Sequence, residues 1–146
     1  RVGRGVARKL REQGHHCVAI ELDQHRLEVG VADGLPMVFG DATHPTVLEA
    51  AGIDSACLLV ITTPAPITAL GIASLARRRR PELHIVARAE TATLVRELED
   101  LGVYEVVQSQ VEVSVELLKQ SLEHLGASED DVVRTVGEVR GAPVGG

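Results

Sequence analysis

Two carboxylates close a short apolar run near the start of the chain. Glu21 and Asp23 lie at the end of the run at residues 17–23, and Gly3 lies 18 residues before Glu21. A glycine turn, a helix, a strand and then an acid about 20 residues after the glycines form a dinucleotide-binding unit, in which the acid accepts hydrogen bonds from the ribose hydroxyls. The spacing favours nucleotide binding by Glu21 over the alternative, a solvated turn after a strand.

Polar side chains also follow the other predicted strands, at the sheet edge where doubly wound folds bind their ligands. Strand by strand, the candidates are Glu21, Leu22 and Asp23, then Asp41, Ala42 and Thr43, then Thr62 and Thr63, then Arg88 and Ala89, then Ser109 and Gln110. Asp41 and Ala42 could meet the edge of an adenine ring. For Asp41, capping of the helix that follows is an equally good interpretation.

Two arginines are candidates for contacts with phosphates. Arg1 lies in the glycine turn, and Arg88 ends an apolar strand at the ligand edge of the sheet. Thr62 and Thr63 follow the most strand-like run of the chain at the same edge. For these two threonines, a plain turn before Pro64 is the alternative.

The chain begins inside its own glycine motif. Arg1, Val2 and Gly3 can supply only the last three positions of G-x-G-x-x-G, so the first strand and two glycines are missing. In the strand order 3-2-1-4-5-6 that strand is central, and without it both of its neighbours keep an unpaired edge. We therefore expect the parent protein to continue upstream of Arg1, first into a Gly-x-Gly strand and then into membrane helices.

Strand and helix patterns alternate five times at short spacing, which predicts βα units around a parallel sheet. The predicted strands are residues 17–23, 35–39, 56–61, 83–87 and 103–107. The predicted helices are residues 2–13, 24–32, 45–51, 65–80, 91–101, 110–125 and 129–139. Hydrophobic residues make up 45% of the chain, with one Phe, one Tyr and no Trp. Such an aliphatic core suits parallel strands that are covered on both faces.

The predicted fold class is therefore α/β, a Rossmann-like doubly wound parallel sheet without its first strand and with a C-terminal crossover helix. The expected organisation is a nucleotide-binding domain at residues 1–126, followed by a short helix and a flexible tail at residues 127–146. With 146 residues, the chain has no room for a second catalytic domain.

Charge and motif content narrow the classes of function. The net charge is −6, and the one basic run, residues 77–80, ends a predicted helix, so nucleic acid is not an expected partner. Cys17 and Cys57 are expected to be buried, reduced thiols. The six histidines lack metal-ligand spacing, and no residue with a nucleophile or general-base motif is present.

Several short sequences resemble the RCK or TrkA-N regulatory domain of potassium channels and transporters. They are Arg-Val-Gly-Arg at residues 1–4, Val-Ala-Ile-Glu-Leu-Asp at 18–23, Gly-Asp-Ala-Thr at 40–43 and Ile-Val-Ala-Arg-Ala at 85–89. The run at residues 106–126, with Glu112, Ser114 and a closing His-Leu-Gly, is most similar to the C-terminal cytosolic domain of Kef-type cation:proton antiporters.

This resemblance implies a Rossmann-like regulatory domain that is not an enzyme and that binds AMP, ADP, ATP or NAD(H). It further implies a homodimer that passes its ligand state to the membrane transporter domain of the same polypeptide, at the cytoplasmic face of the cell membrane. By position, Arg1 matches the family arginine that approaches the phosphates, Glu21 the ribose acid, and Asp41 with Ala42 the adenine contact.

One departure from the family bears on the ligand. Many relatives have Pro-Glu after the last strand, where this chain has Ser109 and Gln110. A neutral glutamine cannot hold a divalent cation as a carboxylate would, so metal-assisted binding of a triphosphate is disfavoured. AMP or NAD(H) is the expected ligand, ahead of ATP or ADP.

The sequence supports two other functions less well than that of a sensor. The cofactor-binding half of an NAD-dependent oxidoreductase would need a substrate domain and an acid or base near the nicotinamide, and the sequence shows neither. Sensing of glutathione adducts would need a basic pocket at a dimer interface, which the sequence does not assign.

A dimer is expected because the helix at residues 65–80 is apolar around much of its circumference, and because the last long helix has two apolar faces.

Overall fold

The computed structural model describes residues 2–141, which form an α/β fold of five strands and seven helices. The strands are β1 (Ala19–Glu21), β2 (Met37–Phe39), β3 (Leu58–Ile61), β4 (His84–Ala89) and β5 (Glu105–Gln108). The helices are α1 (Val2–Glu12), α2 (Gln24–Ala32), α3 (Pro45–Ala50), α4 (Pro66–Arg79), α5 (Ala92–Asp100), α6 (Ser109–His124) and α7 (Glu129–Gly141). The predicted alternation of strands and helices is confirmed.

The strands form two parallel sheets. β1 pairs with β2 in one sheet, and the other has the order β3-β4-β5. Ala19 lies opposite Met37 in the first sheet, and Ile61 lies opposite Ala87 in the second. Together the two orders match the arrangement 3-2-1-4-5-6 with the position of its first strand left open.

The open edges of β1 and β3 change the burial that the sequence pattern predicts. The expectation of strands covered on both faces is wrong for β1, the strand predicted at residues 17–23, because it is half-buried throughout and Val18 just before it is 50% exposed. At the start of β3, Leu58 is 41% exposed. The prediction of buried thiols is also wrong, since Cys17 is half-buried and Cys57 is exposed, although both are free. Each of these strands pairs on one side only, so residues along the other edge meet solvent.

A single aliphatic core lies between the three-stranded sheet and α3, α4 and α5. Its fully buried large side chains are Leu48, Ile85, Leu94 and Leu98. The alanines Ala69, Ala73 and Ala76 of α4 are completely buried. Small side chains let this helix pack closely on the sheet, which positions the carboxyl ends of the strands.

The basic run at residues 77–80 holds loops together. Arg77 donates to the backbone carbonyls of Pro81, Leu83, Leu101 and Gly102. Arg80 donates to the backbone carbonyls of Ile53, Asp54 and Ala56. Arg79 pairs with the carboxylates of Glu49 and Asp54. The hydrogen bond from Arg79 holds the pKa of Asp54 below its usual value. Three of the four guanidinium groups in the run therefore connect α4 to the loops before β3, β4 and β5.

Helices α6 and α7 pack against each other. Ser128 Oγ accepts the backbone N–H of Asp131 at 3.2 Å and so caps the start of α7. A bidentate pair between Arg140 and Glu112 joins the end of α7 to the first turn of α6. The helix predicted at residues 129–139 extends to Gly141, and residues 142–146 of the predicted flexible tail lie outside the described part of the chain.

The second apolar face of α6 has no cover among residues 2–141. Val113 and Leu117 on this face are 61% and 67% exposed, whereas Val115 is buried. None of the described helices combines the length and the apolar character that crossing a membrane requires.

Candidate functional site at the carboxyl ends of the strands

Glu21 ends β1, and the turn that follows holds its carboxylate. Oε1 accepts the backbone N–H groups of Leu22 at 3.0 Å and Asp23 at 2.9 Å. Within residues 2–141, no hydrogen bond to Oε2 is found. A carboxylate has about four lone-pair sites, so Glu21 keeps the capacity to accept both hydroxyls of a ribose diol.

Asp23 is the competing acid for that role, and its carboxylate is engaged elsewhere. Asp23 is the N-cap of α2, and its Oδ1 accepts the backbone N–H of Arg26 at 2.8 Å. Capping satisfies one of the donors that every helix leaves open at its start. Each acid thus keeps one oxygen without a hydrogen bond among residues 2–141, but Asp23 is committed to the cap of α2 whereas Glu21 is held at the tip of β1.

Asp41 forms a tight turn after β2. Its Oδ1 accepts the backbone N–H of Thr43 at 2.9 Å and the hydroxyl of Thr43 at 2.7 Å, and these bonds hold the pKa of Asp41 below its usual value. The N-cap of α3 is His44, so the interpretation of Asp41 as a helix cap is wrong. The turn leaves Asp41 ionised at the edge of the sheet, beside the half-buried Ala42.

Gly3 and Thr62 bring the start of α1 against the end of β3. A Cβ atom built on Gly3 would lie only 2.6 Å from Thr62 Oγ1. Helix α1 also contacts β1, so it links the two sheets. Close approach of the first helix to the strands is what the last glycine of the dinucleotide motif provides.

Of the other residues predicted in this region, two are exposed at the surface and one belongs to a turn. Val2 is 49% exposed and Leu22 is 62% exposed. Thr63 Oγ1 accepts the backbone N–H of Ala65 at 3.3 Å, as expected of a plain turn residue. Arg1 lies outside the described residues, so its assignment to the phosphates stays a prediction.

Replacing Gly3 by alanine should displace the start of α1. We expect the Gly3→Ala variant to lose about 1–3 kcal/mol of unfolding free energy in urea denaturation, because the added methyl group overlaps Thr62. Gly5 is a matched control in the same helix, since a Cβ there meets nothing within 4 Å. Gly5→Ala should stabilise the protein by about 0.5–1 kcal/mol through helix propensity alone. Similar gains for the two variants would show that Gly3 is not needed for close packing.

Arg88 lies in β4 and belongs to a small polar network. Its Nε donates to Ser109 Oγ at 2.9 Å, and its guanidinium pairs with the carboxylate of Glu90. Ser109 Oγ in turn donates to Glu90 at 3.2 Å. Arg88 is thus at the predicted edge, but a neighbouring acid already neutralises it.

Glu90 was missed by reasoning from the sequence alone. The sequence spacing could have revealed it, because residues two apart in an extended segment point to the same side. Arg88 and Glu90 have this spacing. The link to Ser109, at the start of α6, spans 19 residues and has no local sequence signature.

Among residues 2–141, no group of three His, Cys, Asp or Glu side chains could hold a metal ion.

The structure groups the candidate residues by sheet. Glu21 and Asp41 lie at the carboxyl edge of the two-stranded sheet, and Thr62 and Arg88 at the same edge of the three-stranded sheet. Gly3 is the residue that joins these groups, since α1 contacts β1 and its first turn meets Thr62. A ligand lying across this edge could reach a ribose acceptor on one side and a cation on the other.

Comparisons with known proteins place the chain in a family. The family model of the TrkA-N domain matches residues 1–109. A protein of Alkalimonas amylolytica that is named as a K(+) efflux antiporter, KefB, is 30% identical over 140 residues, which cover 96% of this chain and 21% of that protein. The chain thus spans about a fifth of the length of this curated relative.

Two solved structures are similar to the chain over most of its length. The TrkA-N domain of the inner membrane protein ybaL from Escherichia coli has a TM-score of 0.77 and 28% identity, with 82% of this chain and 89% of that domain covered. The Kef CTD of Shewanella denitrificans in its AMP-bound form has a TM-score of 0.75 and 32% identity, with 94% of this chain and 83% of that chain covered.

Proposed function

Because the chain belongs to the TrkA-N domain family, we propose that it is a regulatory domain that binds an adenine nucleotide and controls cation transport, with potassium as the expected ion. The observation that carries this proposal is the Glu21 carboxylate, which two backbone N–H groups orient and which keeps an oxygen free. On this proposal the domain senses its ligand and is not an enzyme.

AMP or NAD(H) is the proposed ligand. The relative from Shewanella denitrificans is in an AMP-bound form, which supports an adenine nucleotide. A carboxylate at Glu21 accepts a free ribose diol but repels a 2′-phosphate, so NADP(H) should be rejected. Gln110 brings no charge to a divalent cation, which disfavours ATP or ADP held through a metal.

The proposed partner is a membrane transporter domain of the same polypeptide, with this domain at the cytoplasmic face of the cell membrane. The support is the relation to KefB, of which the chain spans 21%. All binding measurements should therefore use the domain together with any residues that precede Arg1 in its reading frame.

Native mass spectrometry of the purified domain tests the ligand proposal. We expect the protein to carry AMP or NAD(H), or to bind added AMP with a rise in its melting temperature by mass action. GMP is the matched control, because it shares the ribose and phosphate but not the adenine edge. A domain that neither carries nor binds an adenine nucleotide would refute the proposed function.

A homodimer is the second part of the proposal. Ile67 at the start of α4 is 88% exposed, and Val113 and Leu117 of α6 are exposed as well. Exposed apolar residues grouped on two helices are typical of an interface, and a two-fold pair is the commonest assembly. We expect a dimer by light scattering at micromolar concentration and a shift toward monomer in the Leu117→Glu variant.

Val31 supplies the control for the dimer. It is 58% exposed on α2, which covers the two-stranded sheet, so Val31→Glu should leave the dimer intact. A wild-type protein that scatters as a monomer would contradict the proposed assembly.

A further inference from the structure

Glu90 forms an ion pair with Arg88, the arginine that faces the proposed phosphate region. The side chains of Arg88 and Glu90 are 29% and 33% exposed, so their ion pair is only partly screened by water. Ser109 accepts a hydrogen bond from Arg88 and donates one to Glu90, which closes a network of three groups. Within this network the charge of the arginine is balanced.

Strand register places this network next to the glycine turn. Ile61 lies opposite Ala87, so the residues that follow them, Thr62 and Arg88, lie at the same level of the sheet edge. Thr62 in turn touches Gly3 in the first turn of α1. Free backbone N–H groups at the start of a helix attract phosphate, so a nucleotide bound there would bring its phosphates toward Arg88.

We propose that Glu90 is a specificity-determining residue that limits how much phosphate charge the site accepts. The inference rests on the proposed function, because it concerns the same nucleotide site. A phosphate that approaches Arg88 must share the guanidinium with Glu90, and any further phosphate comes close to a carboxylate of the same sign. The network therefore favours a ligand that brings little phosphate charge, such as AMP or the pyrophosphate of a dinucleotide, in which each phosphate carries a single charge, over a triphosphate.

Titration of the Glu90→Gln variant with adenosine, AMP and ATP tests this inference. Adenosine carries no phosphate, so its affinity should not change. AMP should bind about threefold more tightly, the size expected when a partly exposed ion pair is removed. ATP should gain about tenfold, because more phosphate charge is relieved of repulsion, and the gain should shrink at high salt.

Glu99→Gln is the matched control. Glu99 is exposed in the last turn of α5, at the opposite end of the sheet, and its replacement removes the same net charge. It should leave the ratio of ATP to AMP affinity unchanged. If the ratio of ATP to AMP affinity is also unchanged in the Glu90→Gln variant, the inference is overturned. In that case, AMP binding by the wild type would still uphold the proposed function.

A second variant keeps the inference testable if Glu90→Gln folds poorly by circular dichroism. Arg88→Gln leaves Glu90 as an uncompensated acid, so it should weaken ATP binding more than AMP binding. Equal losses for the two nucleotides would overturn the inference. Failure of the wild type to bind adenosine or AMP at all would refute the proposed function, and the inference with it.

Discussion

Replacing Glu21 by alanine is expected to weaken the binding of AMP and NADH by about tenfold to a hundredfold, because two charge-assisted hydrogen bonds to the ribose diol are lost. Isothermal titration calorimetry of the wild type and the Glu21→Ala variant measures this change. The wild-type carboxylate should need little reorganisation to bind the ribose, because two N–H groups already hold Oε1 and Oε2 is free. An unaffected Glu21→Ala variant would mean that Glu21 only ends a strand.

Asp23 is the control for this experiment because it lies two residues away and carries the same charge. Its carboxylate caps α2, so Asp23→Ala should lower the unfolding free energy by about 1 kcal/mol. Its effect on ligand affinity should be smaller than that of Glu21→Ala. Asp23→Asn should keep the cap and the stability. A larger loss of affinity in Asp23→Ala than in Glu21→Ala would assign the ribose to Asp23.

Replacing Arg77 by glutamine is expected to lower the unfolding free energy by about 2–4 kcal/mol, among the larger effects of a single substitution. The guanidinium donates to four backbone carbonyls in the segments before β4 and β5. Glutamine cannot reach all of them, and the partly buried carbonyls lose their donors. Urea denaturation, with the slope checked for two-state behaviour, measures the loss.

Arg78 gives a matched control in the same helix. Its guanidinium donates to the Ser74 hydroxyl and is exposed. Arg78→Gln should change the unfolding free energy by no more than about 0.5 kcal/mol, as is usual at the surface. Equal denaturation midpoints for the two variants would show that the bonds from Arg77 do not stabilise the fold. Arg77→Lys should recover only part of the loss, since an ammonium lacks the planar fork of donors.

Local signals explain why most element bounds could be predicted from the sequence. The second helix is predicted at residues 24–32 and is observed as Gln24–Ala32, since Asp23 caps its start and a positive-φ glycine, Gly34, follows its end. The short strands are less well predicted. The strand predicted at residues 17–23 is paired only over Ala19–Glu21, because pairing depends on a partner that is remote in sequence.

Long-range contacts explain what the sequence alone could not predict. Arg80 looks like a cation placed at a helix end, yet it donates to carbonyls 24 to 27 residues earlier in the chain. Arg88 looks like a free phosphate ligand, whereas the fold pairs it with Glu90 and brings Ser109, 21 residues later, into contact with it. Of the candidate site, the residues at the strand ends could be predicted, whereas their present hydrogen-bond partners could not.

The most direct test of the account is a titration of the wild-type domain with NADH and NADPH under identical salt conditions. These ligands differ only in the 2′-phosphate, which a carboxylate at Glu21 would repel. We predict that NADH binds at least about tenfold more tightly than NADPH, a difference of about 1.4 kcal/mol. Equal affinities for the two dinucleotides would contradict the assignment of Glu21 to the ribose.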